Sequence, residues 1–86
     1  MKKNILITGV TGFIGFNIAY ELLNSNNIFG IDNFDNYYSS KIKYERLKIL
    51  KKKKNFQFKK INLNNFSNIN KIFKKNKFDK VIHLAA

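Results

Sequence analysis

Two periods of apolar and polar residues alternate along this chain. Asn4-Ile5-Leu6-Ile7-Thr8 is a short apolar run ending at a glycine, which predicts a buried strand. From Phe13 to about Asn24 the spacing changes. Ile14, Ile18 and Leu22 recur every four residues with Ala19 and Leu23 beside them, while Asn17, Glu21 and Asn24 fall on the other side. This pattern predicts a helix with one apolar face, ended by the turn residues Ser25-Asn26-Asn27. Residues 28–31 form a second apolar run ending at Asp32, followed by a polar and aromatic loop to Ser40. Ser39 or Ser40 is placed to cap a second helix, which runs to about Lys52 and buries Leu47 and Leu50. Residues 56–61 predict a third strand. Ser67 is a plausible cap for a third helix carrying Ile69, Ile72 and Phe73 on its apolar side, and residues 80–85 predict a fourth strand.

Strands that alternate with helices argue a parallel sheet with right-handed crossovers. The expected fold is α/β: a parallel sheet of four strands with three helices. Eighty-six residues hold one small domain, and a complete doubly wound nucleotide-binding domain usually takes roughly 100–200 residues. The sheet is therefore expected to be incomplete, with an apolar fourth strand left at an edge.

The residues that carry chemistry lie between the first strand and the first helix. Thr8-Gly9-Val10-Thr11-Gly12-Phe13-Ile14-Gly15 spaces its glycines three and three. Gly9 permits a sharp turn off the strand. Gly12, without a Cβ, lets a pyrophosphate approach the backbone, and Gly15 lets the helix pack tightly on the sheet. The N–H groups at the helix start then face the anion. Asp32 follows Gly15 by 17 residues, at the carboxyl end of the second strand. A carboxylate there accepts hydrogen bonds from both hydroxyls of an adenosine ribose. Glycines in a strand–helix turn also occur for purely structural reasons. The strand before them, the helix after them and the acid ending the next strand favour a cofactor role.

These residues resemble the N-terminus of the extended short-chain dehydrogenase/reductase family, whose T-G-x-x-G-F-I-G pattern is matched by Thr8 to Gly15. Asp32-Asn33 resembles its acidic ribose ligand, and Val81-Ile82-His83-Leu84-Ala85-Ala86 its fourth strand. Within the family, Gly30 to Tyr38 is similar to the loop of nucleotide-sugar 4-epimerases acting on UDP-glucuronate. Phe13 to Phe16 and Lys77 to His83 agree with that group, while UDP-galactose 4-epimerases and 4,6-dehydratases share most of the frame. The resemblance implies a Rossmann-type sheet with its four strands in the order 3-2-1-4, and NAD as cofactor. Gly9, Gly12, Phe13 and Ile14 would surround the pyrophosphate, with Thr11 and Gly15 also among the cofactor-binding residues. Asp32 would hold the adenine ribose, with Asn33 and Asn36 close by. Asn62 and Leu63 would flank adenine, and Leu84, Ala85 and Ala86 would line the route towards the nicotinamide. Asn62 departs from the family, which usually has aspartate there; its uncharged carbonyl accepts a weaker bond. No arginine directly follows Asp32, so NAD is expected over NADP.

The family's chemistry implies hydride transfer to bound NAD at a sugar C4, with a tyrosinate base, a lysine that lowers its pKa and a serine or threonine. Those groups belong to the fifth strand and its helix, so no catalytic residue is expected in this chain, nor any domain that binds a UDP-sugar substrate. Tyr37 with Lys41 and Tyr44 with Lys48 match Tyr-x-x-x-Lys as strings only. His83 is expected to be a packed, hydrogen-bonded histidine rather than a base. Tyr20 and Tyr44 are expected to be packing residues, whereas Tyr37 and Tyr38 either touch a ligand or anchor their loop.

Composition sharpens this picture by exclusion. There is no cysteine and only one histidine, so neither a disulfide framework nor a metal cluster is expected. No apolar run is long enough to cross a membrane. The basic start of the chain gives way to apolar residues that break at Thr8-Gly9, too early for a signal peptide, and a cytoplasmic protein is expected. The net charge of +12 invites a nucleic-acid reading. Lys, Asn, Ile, Phe and Tyr dominate the chain, however, and all have A/T-rich codons, so the lysines read as solvent-facing residues and no specific nucleic-acid contact is expected. Part of a homodimeric epimerase or dehydratase, a stand-alone nucleotide-binding module and a basic nucleic-acid-binding protein are the three readings, in that order.

Overall fold

The computed structural model describes residues 2–33, 40–61 and 65–84. Its elements are β1 (Asn4–Thr8), α1 (Phe13–Leu22), β2 (Asn27–Asp32), α2 (Ser40–Lys51), β3 (Phe56–Lys60), α3 (Phe66–Lys75) and β4 (Lys80–His83). The four strands form one sheet in the order β3-β2-β1-β4. Every pairing is parallel, with Thr8 opposite Ile31 on one side and His83 on the other. The expected α/β class, strand order and helix count are all present.

A strand in the middle of such a sheet is covered on both faces, and β1 accordingly buries Ile5, Leu6 and Ile7 to 3% exposure or less. Alternation sends them to opposite sides. Ile5 and Ile7 join Val10, Ala19, Leu23, Ile28, Leu47, Leu50 and Phe56 in the core beneath α1 and α2. Leu6 joins Ile31, Ile61 and Ile72 beneath α3, where Phe29 and Phe78 meet edge-on at 5.8 Å. Each of the larger side chains among them contributes about 1.5–3 kcal/mol by leaving water.

Polar residues at the element ends hold the register. The Asn4 N–H donates to the Asp79 carboxylate (2.7 Å) and the Asp79 N–H to the Asn4 carbonyl (2.7 Å), which fixes β4 against β1. The Asn55 amide donates to the carbonyls of Leu23 and Asn26 and so ties the start of β3 to the turn that ends α1. Lys48 and Lys51 occupy the last turn of α2, and Lys74 and Lys75 that of α3, where cations offset the helix dipole.

Four local expectations change. The buried stripe of α1 is Gly15–Ala19–Leu23 rather than Ile14–Ile18–Leu22: Ile14 is 60% exposed, and Ile18 and Leu22 only border the core. The stripe turns because the helix approaches the sheet closest at Gly15, where a Cβ would strike the Gly9 carbonyl. The cap of α3 is Asn65, whose side chain accepts from the Asn68 N–H, not Ser67. Phe73 is half exposed, held edge-on to Phe78 at 5.6 Å instead of inside the core. Tyr20 and Tyr44 are likewise half exposed, and Tyr20 packs at the surface on Phe16. At the sheet edge Val81 is 51% exposed, as expected of an apolar edge strand.

Gly30 is a second close approach. A Cβ there would lie 2.7 Å from Cγ1 of Val10, a side chain with no exposure. Gly30→Ala should therefore cost about 1–3 kcal/mol through overpacking. Val10→Ala removes the obstructing methyl groups, so the double variant should lose less stability than the sum of the two single changes. Denaturant unfolding of the three variants checks this, and additive losses would contradict the contact.

Candidate functional site

In a doubly wound sheet, ligands bind beyond the carboxyl ends of the strands, where the strand order reverses. Here that point lies between β1 and β4, because the chain runs outward from β1 through β2 and β3 and then returns to β4. The turn from β1 into α1 stands at this end. Gly9 has φ 72°, a conformation that suits glycine, and its N–H donates to the Ile31 carbonyl of β2 (2.8 Å). The Gly12 N–H returns to the Gly9 carbonyl (3.1 Å), closing the turn. Gly12 is the N-cap of α1; it supplies no side-chain cap, and the first helical turn holds no acid. The positive end of the helix is thus presented by backbone alone. Phe13 and Ile14, 70% and 60% exposed, flank it.

Beside the turn lies Asp32. Its carboxylate is 7% exposed, and leaving such a group in an apolar surround without partners would be costly. Thr11 supplies two. Its backbone N–H donates to Oδ2 (3.0 Å) and its hydroxyl donates to the same oxygen (2.5 Å). Lys43 Nζ from α2 lies 3.8 Å from Oδ1. Thr11 is itself completely buried, and its carbonyl accepts from Arg46 of α2 (3.0 Å). The Arg46 guanidinium also lies 5.8 Å from the centre of the Phe13 ring. Glycine turn, buried acid and second helix therefore form one connected unit.

At the other flank, the Thr8 hydroxyl is 2.8 Å from His83 Nδ1, and the Leu84 N–H donates to it (3.1 Å) and to the Thr8 carbonyl (3.2 Å). His83 is hydrogen-bonded as expected but exposed rather than packed, and Leu84 follows β4 with 38% exposure. Of the residues expected at the site, the structure thus gathers Gly9, Thr11, Gly12, Phe13, Ile14, Gly15 and Asp32 around the turn. Asn33 follows Asp32 at an exposed position, and Leu84 stands across β1. Asn36, Asn62, Leu63, Ala85 and Ala86, with Tyr37 and Tyr38, lie outside the described residues. Tyr44 and Lys48 lie on the exposed side of α2. Among the described residues no group of His, Cys, Asp or Glu could hold a metal ion, and no helix is long and apolar enough to cross a membrane.

Lys43 and Arg46 were invisible as site residues in the sequence. One lies among many lysines, and nothing in a helical pattern says which cations of α2 turn towards α1. The usable signal was that Arg46 is the chain's single arginine.

The family described as GDP-mannose 4,6 dehydratase matches residues 6–86. The chain belongs to that family. It is 43% identical over 82 residues to a UDP-glucuronate 4-epimerase of Thermodesulfobacterium geofontis, covering 94% of this chain and 25% of the relative. Among solved structures it is similar to UDP-glucuronic acid 4-epimerase from Bacillus cereus in complex with UDP-glucuronic acid and NAD, with a TM-score of 0.84, 32% identity, 96% of this chain and 26% of that one. It is also similar to dTDP-glucose 4,6-dehydratase from Bacillus anthracis in complex with NAD, with a TM-score of 0.83, 25% identity and coverage of 98% and 27%. The expected membership of the extended short-chain dehydrogenase/reductases, in their epimerase and dehydratase group, is correct. The chain spans about a quarter of the length of these relatives.

The buried pair of Thr11 and Asp32 yields a stability prediction. Thr11→Val keeps the shape and deletes the hydroxyl, leaving the carboxylate one charge-assisted bond short; it should cost about 1.5–3 kcal/mol, and Thr11→Ser much less. Chemical denaturation measures both, and equal losses for the two would show that the methyl group, not the hydroxyl, matters.

Proposed function

We propose that this chain is the first half of the NAD-binding domain of a nucleotide-sugar 4-epimerase of the UDP-glucuronate type. The observation that carries the reading is the coupling of Asp32, at the end of β2, to Thr11 of a glycine turn that opens α1 without a side-chain cap. The donor set fits a dinucleotide. Backbone N–H groups at the start of α1 would bind the pyrophosphate, with the absent Cβ of Gly12 allowing approach and Phe13 and Ile14 beside it. Asp32 would accept from the ribose hydroxyls, with Asn33 and Asn36 close by. Asn62 and Leu63 would flank adenine, and Leu84, Ala85 and Ala86 would line the path to the nicotinamide.

When bound, NAD supplies the hydride acceptor and donor of the reaction. The residues of this chain bind and orient it and take no part in proton transfer. Catalytic groups and the UDP-sugar site lie, on this reading, in the rest of the protein, which works as a homodimer in the cytoplasm. The similarity to the epimerase from Bacillus cereus and to its relative in Thermodesulfobacterium geofontis supports the epimerase reading over a 4,6-dehydratase. No specific nucleic-acid contact is proposed, because the lysines are spread over α2, β3, α3 and the segment after α2.

Asp32 sets the cofactor preference. A 2′-phosphate would bring negative charge against a carboxylate already held in place by Thr11, so the intact protein should bind NAD more tightly than NADP. Asp32→Asn should weaken NAD by roughly tenfold or more, the loss of a charged hydrogen-bond acceptor, and narrow the preference. Titration of both cofactors by calorimetry tests this; equal or tighter NADP binding by the unaltered protein would overturn the role given to Asp32.

A further inference from the structure

Arg46 has no role in the reading above, yet it touches both Thr11 of the turn and Phe13 at the start of α1. Its guanidinium donates to the carbonyl of Thr11 at 3.0 Å. The N–H and hydroxyl of that same residue donate to Asp32 at 3.0 and 2.5 Å. The guanidinium also sits over the exposed ring of Phe13, the first residue of α1, at 5.8 Å from its centre. One turn of α2 earlier, Lys43 reaches the other oxygen of Asp32 at 3.8 Å. Thr11 is thereby held from two directions: its N–H and hydroxyl by β2, its carbonyl by α2.

We propose that Arg46 is a positioning residue for dinucleotide recognition, acting through Thr11 on Asp32 without touching the cofactor. The proposal rests on the nucleotide-binding reading of the turn. Gly9 and Gly12 give the segment its freedom, and freedom in a binding loop is lost on binding, at a cost in affinity. Arg46 removes that freedom beforehand. A guanidinium is planar, permanently charged and able to donate to a carbonyl while stacking on a ring. A lysine at this position would keep the charge and lose the stacked plane. With its oxygen and its N–H both engaged, the backbone of Thr11 cannot turn without breaking a bond to α2 or to Asp32, so the Cα from which the hydroxyl projects is fixed relative to the carboxylate. The geometry of the ribose acceptor is in this way set from a helix that lies outside the motif.

The test is a double-mutant cycle in the intact protein, with NAD affinity read by calorimetry and folding by thermal melts. Arg46→Met should weaken NAD by about tenfold, and Arg46→Lys should recover only part of it. Because the effect passes through Asp32, Arg46→Met placed on Asp32→Asn should weaken NAD by less than about twofold more. A general structural role would instead give losses that multiply. The second readout is 2′-deoxy-ADP, which lacks one of the two hydroxyls that Asp32 would accept; its affinity should fall less on Arg46→Met than that of ADP. Independent, multiplying losses, or unchanged NAD affinity in Arg46→Met whatever its melt, would overturn the proposal. If the unaltered protein binds no NAD, the nucleotide-binding reading itself fails, which is a separate outcome. Should Arg46→Met not fold, Arg46→Lys carries the same cycle.

Discussion

A carboxylate buried at the end of β2 must be satisfied from within the protein, and the residue that satisfies Asp32 belongs to the turn leaving β1. The two bonds from Thr11 give the turn one position relative to the sheet. Unpaired, the buried charge would cost several kcal/mol, more than most single contacts return. The same interaction brings the start of α1 and the end of β2 side by side, the placement on which the proposed dinucleotide reading rests. The stability of this corner and its proposed recognition chemistry therefore depend on the same bonds.

The glycines serve this arrangement unequally. Gly9 supplies a left-handed φ, and Gly15 supplies space: its missing Cβ is what lets α1 come down on the Gly9 carbonyl. That approach rotates the helix, so that Gly15, Ala19 and Leu23 face the core while Phe13 and Ile14 stand exposed at the mouth of the turn. A helix packed through large side chains would keep its N-terminus farther from the strand ends. Gly30 repeats the device under Val10 and keeps β2 clear of the turn above it.

On the opposite face α3 closes a smaller core around Leu6, Ile31, Ile61 and Ile72. Its contribution to the site is indirect. It carries the chain across the sheet from β3 to β4, so β4 lies next to β1 and its end, at Leu84, comes beside Thr8. The reversal of strand order between β1 and β4 is a consequence of this one crossover.

Much of this architecture was legible along the chain. Seven elements, their order and the parallel sheet followed from short apolar runs alternating with fourfold spacing, and the strand order from the resemblance to a dinucleotide-binding fold. The glycine turn and Asp32 followed from their places between those elements. Periodicity works because a strand or helix must bury a continuous face, a requirement written locally in the sequence. It does not determine how far a helix is rotated or which cation meets which acid. Ile14 looked as apolar as Ala19, and only the contact of Gly15 with Gly9 turned one outward and the other inward. Ser67 has the chemistry of a cap, but the path of the chain into α3 gave that place to Asn65. Lys43 and Arg46 were two cations among many until α2 packed beside α1 and brought them to Asp32 and Thr11. Pairings across 11 and 35 positions of the chain depend on tertiary packing, because no local rule specifies how two helices on one sheet face are turned towards each other.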